Sequence, residues 1–221
     1  MDLELERECM VKEQIMRRGI LEPHLLSVLR DIPRHLFVQP IDWSSAYEDH
    51  PLQIGESQTI SQPFIVALMT SLLSLQGDEN VLDVGTGSGY QAAILGRMAR
   101  VVHSVEYIPS LAECAGQVLQ KVGITNVIIH VGDGSQGWIE SAPYNAILVA
   151  AAAPAVPQPL LDQLAEGGRM VIPVGNKPRQ ELQVWNGSGI ILNMKQISLL
   201  FLFHYVVIMA GKKASGDNIE N

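Results

Sequence analysis

The residues Asp83-Val84-Gly85-Thr86-Gly87-Ser88-Gly89-Tyr90 place three glycines at alternate positions behind a carboxylate. Glycine accepts positive φ and lets a ligand approach the main chain, so three at this spacing exceed what a plain turn needs. An apolar run, Val81-Leu82-Asp83-Val84, precedes the loop, and a helix signal through Ala92, Ala93 and Leu95 follows it. A loop in that context binds its ligand outside the carboxyl ends of the strands. Glu106 closes the next strand, with Tyr107 after it. An acid about 20 residues past the loop is placed to accept hydrogen bonds from ribose hydroxyls. Gly132-Asp133-Gly134 closes the strand after that. Asp133 either accepts from an adenine amino group across the same crevice or only closes an Asx turn.

The spacing also selects among ligands. A dinucleotide fingerprint reads G-x-G-x-x-G, whereas here Tyr90 stands at the third-glycine place and Gly89 comes one place early. G-x-G-x-G behind an acid is the pattern of enzymes that use S-adenosylmethionine, which has no pyrophosphate to seat on a helix N-terminus. On this reading Gly85, Gly87, Gly89, Glu106, Tyr107, Asp133 and Gly134 hold that cofactor. Asp83 either meets its methionine amino end or braces the loop.

The elements that must position these groups alternate. Strands are expected at Val81–Val84, Val101–Val105, Val127–Val131, Ala146–Val149 and Arg169–Val174. Helices fall between them, through Ala92–Leu95, Leu111–Lys121 and Leu160–Leu164. That alternation implies an α/β fold: a doubly wound, mostly parallel sheet covered on both faces. Glu181–Trp185, Ile190–Ile197 and Phe201–Met209 then read as antiparallel edge strands, the first two joined by a turn at Asn186-Gly187-Ser188-Gly189. Upstream, a helix is expected over Leu3–Arg18 with Gly19 as its stop, a short one opened by Pro23 and closed by Pro33, and a third over Gln62–Leu75. Residues 39–61 read as a long irregular segment, and such segments in compact domains usually carry function. The expected organisation is one domain over residues 1–211, of which 1–61 form an N-terminal helical and loop extension, with a polar tail at 212–221.

Composition bounds the partners. With 47% hydrophobic and 17% charged residues the chain can bury a core. Its net charge of −8 and the lack of a basic run argue against nucleic acid and anionic membranes. The apolar run Ile197–Ala210 is shorter than a membrane span needs. Cys9 and Cys114 have no CxxC spacing and read as reduced thiols, and no basic n-region with an apolar core opens the chain, so a cytoplasmic location is expected.

Further segments carry a resemblance. Gln58-Thr59-Ile60-Ser61-Gln62-Pro63, with the glycine loop and Gly132-Asp133-Gly134, resembles the protein-L-isoaspartate O-methyltransferase family. Ile32-Pro33-Arg34-His35-Leu36-Phe37-Val38, Ala46-Tyr47-Glu48-Asp49, Ala151-Ala152-Ala153-Pro154 and Ile172-Pro173-Val174-Gly175 are similar to it as well. The similarity runs over about residues 10 to 211. Two positions depart: Ser57 stands where the family usually has Gly, and Tyr205-Val206-Val207-Ile208 stands where it usually has aromatic-Val-Pro-Leu.

The resemblance implies methylation of the free carboxylate of L-isoaspartyl residues in damaged proteins and peptides, by a monomer that takes S-adenosylmethionine as the methyl donor. It implies that Thr59 and Ile60 line the cofactor crevice, that Ser61 orients the carboxylate, and that Val207 belongs to the substrate wall. Ser61 before Gln62-Pro63 is equally suited to cap a helix. The Ala151-Ala152-Ala153 run lacks polar side chains and leaves its main chain available to an extended peptide, or else packs tightly on the sheet. Because a carboxylate is already ionised near neutral pH, no general base is expected, and His103 and His130 read as structural. The competing readings are a methyltransferase for another acceptor, a nicotinamide oxidoreductase, and a non-catalytic peptide-binding relative.

Overall fold

The computed structural model describes residues 2–175, 180–186 and 189–194, the last five by their backbone. Val207 and the strand expected over Phe201–Met209 lie outside the described residues. Among the described residues no helix is long and apolar enough to cross a membrane.

Among the described residues seven strands form one sheet, in the order β5-β4-β3-β6-β7-β8-β9. They are β3 (Asn80–Val84), β4 (Val101–Glu106), β5 (Val127–Val131), β6 (Tyr144–Val149), β7 (Leu164–Val174), β8 (Glu181–Asn186) and β9 (Gly189–Met194). The first five run parallel; β8 and β9 run antiparallel at one edge. Strands β3 to β5 step one way and β6 to β7 the other, so the order reverses between β3 and β6. In an open α/β sheet the crevice lies at this switch point. The glycine loop leaves β3, and the Ala150–Ala152 segment leaves β6, on the two sides of it.

The pleat sends alternate residues to opposite faces. Val81, Val102, Ala146, Leu148 and Val171 face α3 (Pro63–Leu73), α4 (Tyr90–Met98) and α5 (Pro109–Lys121). Leu82, Val84, Val105, Ile147, Val149, Met170 and Ile172 face α6 (Gln158–Asp162) and Trp138. Both sets are buried.

Three expectations are corrected. The helix foreseen over Leu3–Arg18 is α-helical only at α1 (Leu3–Cys9); it widens to a π-helical stretch over Met10–Ile15 and ends in a tight 3-10 turn at Gly19, φ 91°. The widened stretch buries Met10, Val11 and Ile15 together. Helix α2 (Pro23–Asp31) follows as expected. The segment 39–61 is not irregular throughout: it holds a 3-10 turn at Pro40–Ser45 and a hairpin of β1 (Leu52–Gly55) and β2 (Gln58–Ile60). Leu164 opens β7 instead of ending a helix. It pairs with Tyr144 before a register shift, which Gly168 permits: a Cβ there would lie 2.9 Å from the Ala165 carbonyl oxygen. The strand expected over Ile190–Ile197 is observed to Met194, and residues 195–197 lie outside the described residues.

Candidate active site

A cleft at the switch point encloses about 900 Å³, part of it open to solvent. One wall is carried by the sheet. Gly85, Thr86, Gly87 and Ser88 line it from the loop after β3, Glu106 and Tyr107 from the end of β4, and Gly134 from the loop after β5. The facing wall is Gln58, Thr59, Ile60 and Ser61, with Ile65, Val66 and Met69 of α3 behind them. Ala150 and Ala151 close the β6 side.

Glu106 ties the sheet wall together. Its carboxylate accepts from the Gly87 N–H at 2.8 Å and from the Ile108 N–H at 2.9 Å, and its side chain is almost wholly buried. Each oxygen spends one lone pair on these bonds, and an ionised carboxylate accepts about four in all. Lone pairs therefore remain on the cleft side for hydroxyl donors. Gly87 has φ 54°, and a Cβ on it would lie 3.3 Å from Ile54 Cδ1 of β1, so the hairpin packs directly over the loop.

Asp83 is placed under the loop and does not line the cleft. The parallel register sets it opposite Ser104, whose hydroxyl donates to Asp83 Oδ2 at 2.7 Å and lies 2.6 Å from Thr86 Oγ1. Burial pushes the Asp83 carboxyl up to about 7, against the Ser104 bond that lowers it and with a smaller upward push from Glu106. Of the two roles weighed for Asp83, its position is that of a brace. Gly89 is also off the lining: a Cβ there would meet Ala115 Cβ at 3.1 Å, so this glycine lets α4 approach α5. Asp133 closes an Asx turn, its Oδ1 accepting from the Ser135 N–H at 3.0 Å and the Ser135 hydroxyl at 2.8 Å, and it is Gly134 beside it that lines the cleft. Ala152 is buried behind Ala151.

Ser61 is free of the capping duty its sequence position allowed. The N-cap of α3 is Gln62, which makes no side-chain cap bond, and the Phe64 N–H donates instead to Asp49 Oδ1 at 3.3 Å. Asp49 is held in turn by Arg18 at 2.6 Å, and the Arg18 guanidinium lies 4.4 Å from the centre of the Phe64 ring. Arg34 binds the Ser61 carbonyl oxygen through Nη2 at 2.8 Å. Sequence reasoning assigned Arg34 and Asp49 no role, although both stand in segments that carry the resemblance.

On the β6 side, the Ala150 N–H is bound to the Val84 carbonyl and the Ala153 N–H to the Pro173 carbonyl. Between them, Ala151 and Ala152 make no backbone hydrogen bond among the described residues. His103 and His130 do not line the cleft. Their ring nitrogens lie 3.0 Å apart, and His130 stacks on Trp138 at 4.0 Å. Burial holds both below the usual histidine range.

The family model for protein-L-isoaspartate(D-aspartate) O-methyltransferase matches residues 5–205. The chain belongs to this family. Among its relatives, protein-L-isoaspartate O-methyltransferase 1 of Syntrophobacter fumaroxidans is 56% identical over 176 residues, which span 80% of this chain and 82% of that protein. The protein-L-isoaspartate O-methyltransferase of Methanospirillum hungatei is 53% identical over 177 residues, 80% of this chain and 82% of that one. A solved protein-L-isoaspartate O-methyltransferase superposes with a TM-score of 0.76 at 31% identity over 90% of this chain and 66% of its own. A Plasmodium falciparum structure of that name, in complex with S-adenosyl-L-homocysteine, superposes at 0.75 with 24% identity, over 89% and 97% of the two chains, and shares the fold.

Proposed function

We propose that this chain is a repair methyltransferase that moves a methyl group from S-adenosylmethionine to the free carboxylate of L-isoaspartyl residues in proteins and peptides. The observation that carries the reading is the Ser61 hydroxyl, which has no hydrogen bond among the described residues and lines the same cleft as the glycine loop, while Asp49 caps the helix.

The cleft suits the cofactor by its donor set. Glu106 offers carboxylate lone pairs to ribose hydroxyls, and Ile60, Ile65, Val66, Met69 and Leu111 supply apolar wall for a base and a thioether. When bound, S-adenosylmethionine supplies an electrophilic methyl on a positively charged sulfur. Thr59 and Ile60 line its seat, Tyr107 flanks the ribose end, and Asp83 keeps the loop in shape from beneath.

The protein's work is alignment. A solvated carboxylate ionises with a pKa of about 3.9, so the acceptor arrives as its own nucleophile. Ser61 donates one hydrogen bond to it, which orients one oxygen and leaves the other lone pairs free to attack. Holding reactants in attack geometry is worth roughly 7–11 kcal/mol. The open main chain at Ala151 receives the peptide beside the lesion through backbone hydrogen bonds, which tolerate many sequences. Transfer leaves S-adenosylhomocysteine; the next backbone nitrogen then attacks the ester carbonyl and expels methanol to give a succinimide, and its hydrolysis returns part of it as normal aspartate.

The test uses tritiated S-adenosylmethionine and two peptides identical except for one L-isoaspartyl or L-aspartyl residue. Base-labile label on the isoaspartyl peptide alone is the expected result. Label on neither, with cofactor binding intact, would move the activity to another acceptor or to a binding role.

A further inference from the structure

Arg34 is the largest side chain that the fold buries completely. A guanidinium cannot shed its proton inside a protein at neutral pH, and burying it is costly unless its donors are used. Burial lowers Arg34 only to about 10, so it stays charged. Its Nε–H donates to the Ala46 carbonyl at 2.8 Å and its Nη2 to the Ser61 carbonyl at 2.8 Å. Its Cζ lies 4.9 Å from the centre of the Tyr90 ring, which itself lines the cleft. Nη1 and the Tyr90 hydroxyl are both buried without a protein partner among the described residues. Among the described residues no carboxylate is bonded to this cation; it is spent on two main-chain oxygens and an aromatic face.

The geometry of the Ser61 carbonyl explains the placement. That oxygen belongs to the peptide plane between Ser61 and Gln62, so fixing it fixes ψ of Ser61. Pro63 already confines Gln62 to extended backbone, observed at φ −59° and ψ 147°. Asp49 holds the Phe64 N–H just beyond. With that plane pinned and the helix just beyond it capped, the main chain that carries the Cα–Cβ bond of Ser61 is fixed relative to α3.

We infer that Arg34 is a positioning residue for methyl transfer, whose planar fork spans the Ala46 and Ser61 carbonyls and thereby aims the Ser61 hydroxyl into the cleft. The inference rests on the role proposed above for Ser61. Lysine in its place keeps the charge, but a point charge on a flexible stem cannot bridge two carbonyls as a fork does.

The experiment is a double-mutant cycle of Arg34→Lys and Ser61→Ala, with kcat on the isoaspartyl peptide, cofactor affinity by calorimetry and thermal melting read for all four proteins. Arg34→Lys is expected to lower kcat about tenfold, because a misplacement near 1 Å can cost that much or more. Cofactor affinity should stay within about twofold, and in the Ser61→Ala background the lysine should cost less than about twofold, since the two residues act as one unit. Equal losses in both backgrounds would overturn the inference, as would an Arg34→Lys protein that does not fold, which would make the guanidinium a purely structural group. Amide hydrogen exchange keeps the test separate from the reaction itself. Over residues 58–65 exchange should speed by about tenfold in Arg34→Lys and remain unchanged at the glycine loop. Wild-type protein inactive on the peptide would defeat the reading of the reaction alone, and unchanged exchange over 58–65 would defeat Arg34.

Discussion

The two walls of the cleft are held by different means. The sheet wall is built from neighbours in register: Asp83 beside Ser104, Glu106 reaching back to Gly87, and a glycine that lets two helices touch. The opposite wall, residues 58–61, has no sheet beneath it beyond a two-stranded hairpin. It is suspended from the N-terminal segment by Arg34 at Ser61 and Asp49 at Phe64, contacts that cross 27 and 15 positions of chain. A wall fixed by register forms with the sheet itself. A suspended wall depends on a few buried polar bonds, and each can be cut without dismantling the core.

The comparison breaks most sharply at Asp83. Its folded pKa of about 7 lies above the unfolded value of 3.8, so the folded state binds more protons between these values. Stability therefore falls as pH rises through that window, by on the order of 4 kcal/mol in total. Asp83→Asn should flatten the fall in urea-derived stability between pH 4 and 8. An unaltered slope would mean that Asp83 is not the group under strain.

Glu106→Ala comes next. Removing two charge-assisted bonds leaves the Gly87 and Ile108 donors bare and should weaken S-adenosylmethionine binding about a hundredfold, roughly 3 kcal/mol. Wild-type affinity by calorimetry would put the cofactor elsewhere than this wall.

On the suspended wall the expected signature is the reverse. Ser61→Ala should lower kcat about tenfold to a hundredfold with cofactor affinity and melting temperature kept, the pattern of a lost transition-state contact. A fall in melting temperature without a change in kcat would return Ser61 to a structural role. Asp49→Ala should cost about 1 kcal/mol of stability, the usual worth of a helix cap. No loss in a denaturant titration would show that Arg18 and packing suffice to hold α3.

The smallest effect belongs to the hairpin. Glu56 and Ser57 both have positive φ, 51° and 57°, between the paired residues Gly55 and Gln58. A two-residue turn of this kind favours glycine or asparagine, and a side chain there costs about 1 kcal/mol. Ser57→Gly should recover about that much stability. Unchanged stability would mean that the turn relaxes in solution.

Much of the sheet wall could be read from the chain. A short glycine loop between a strand and a helix, and an acid at the end of the next strand, are local signals, because successive βα units place their strand ends side by side. The structure adds finer placement there: Gly89 lets α4 approach α5, and Asp83, for which a brace was one of two open roles, lies under the loop. Both depend on which neighbour the pleat and the register present. Of the suspended wall, the motif at 58–63 was legible as a resemblance, but its supports were not. Arg34 and Asp49 are separated from their partners by segments whose path no local pattern fixes.

The sequence by itself determined the alternation of strand and helix, the position of the glycine loop, the acid that serves it, and membership of a family of methyltransferases. Periodicity and short-range spacing encode the first three, since they act over one or two turns of chain; the family was legible as a resemblance of motifs. Only the tertiary structure decided whether Ser61 is a cap or a free hydroxyl. That depended on a carboxylate arriving from residue 49 to take the Phe64 N–H, a long-range bond that exists once the N-terminal segment has folded over the cleft.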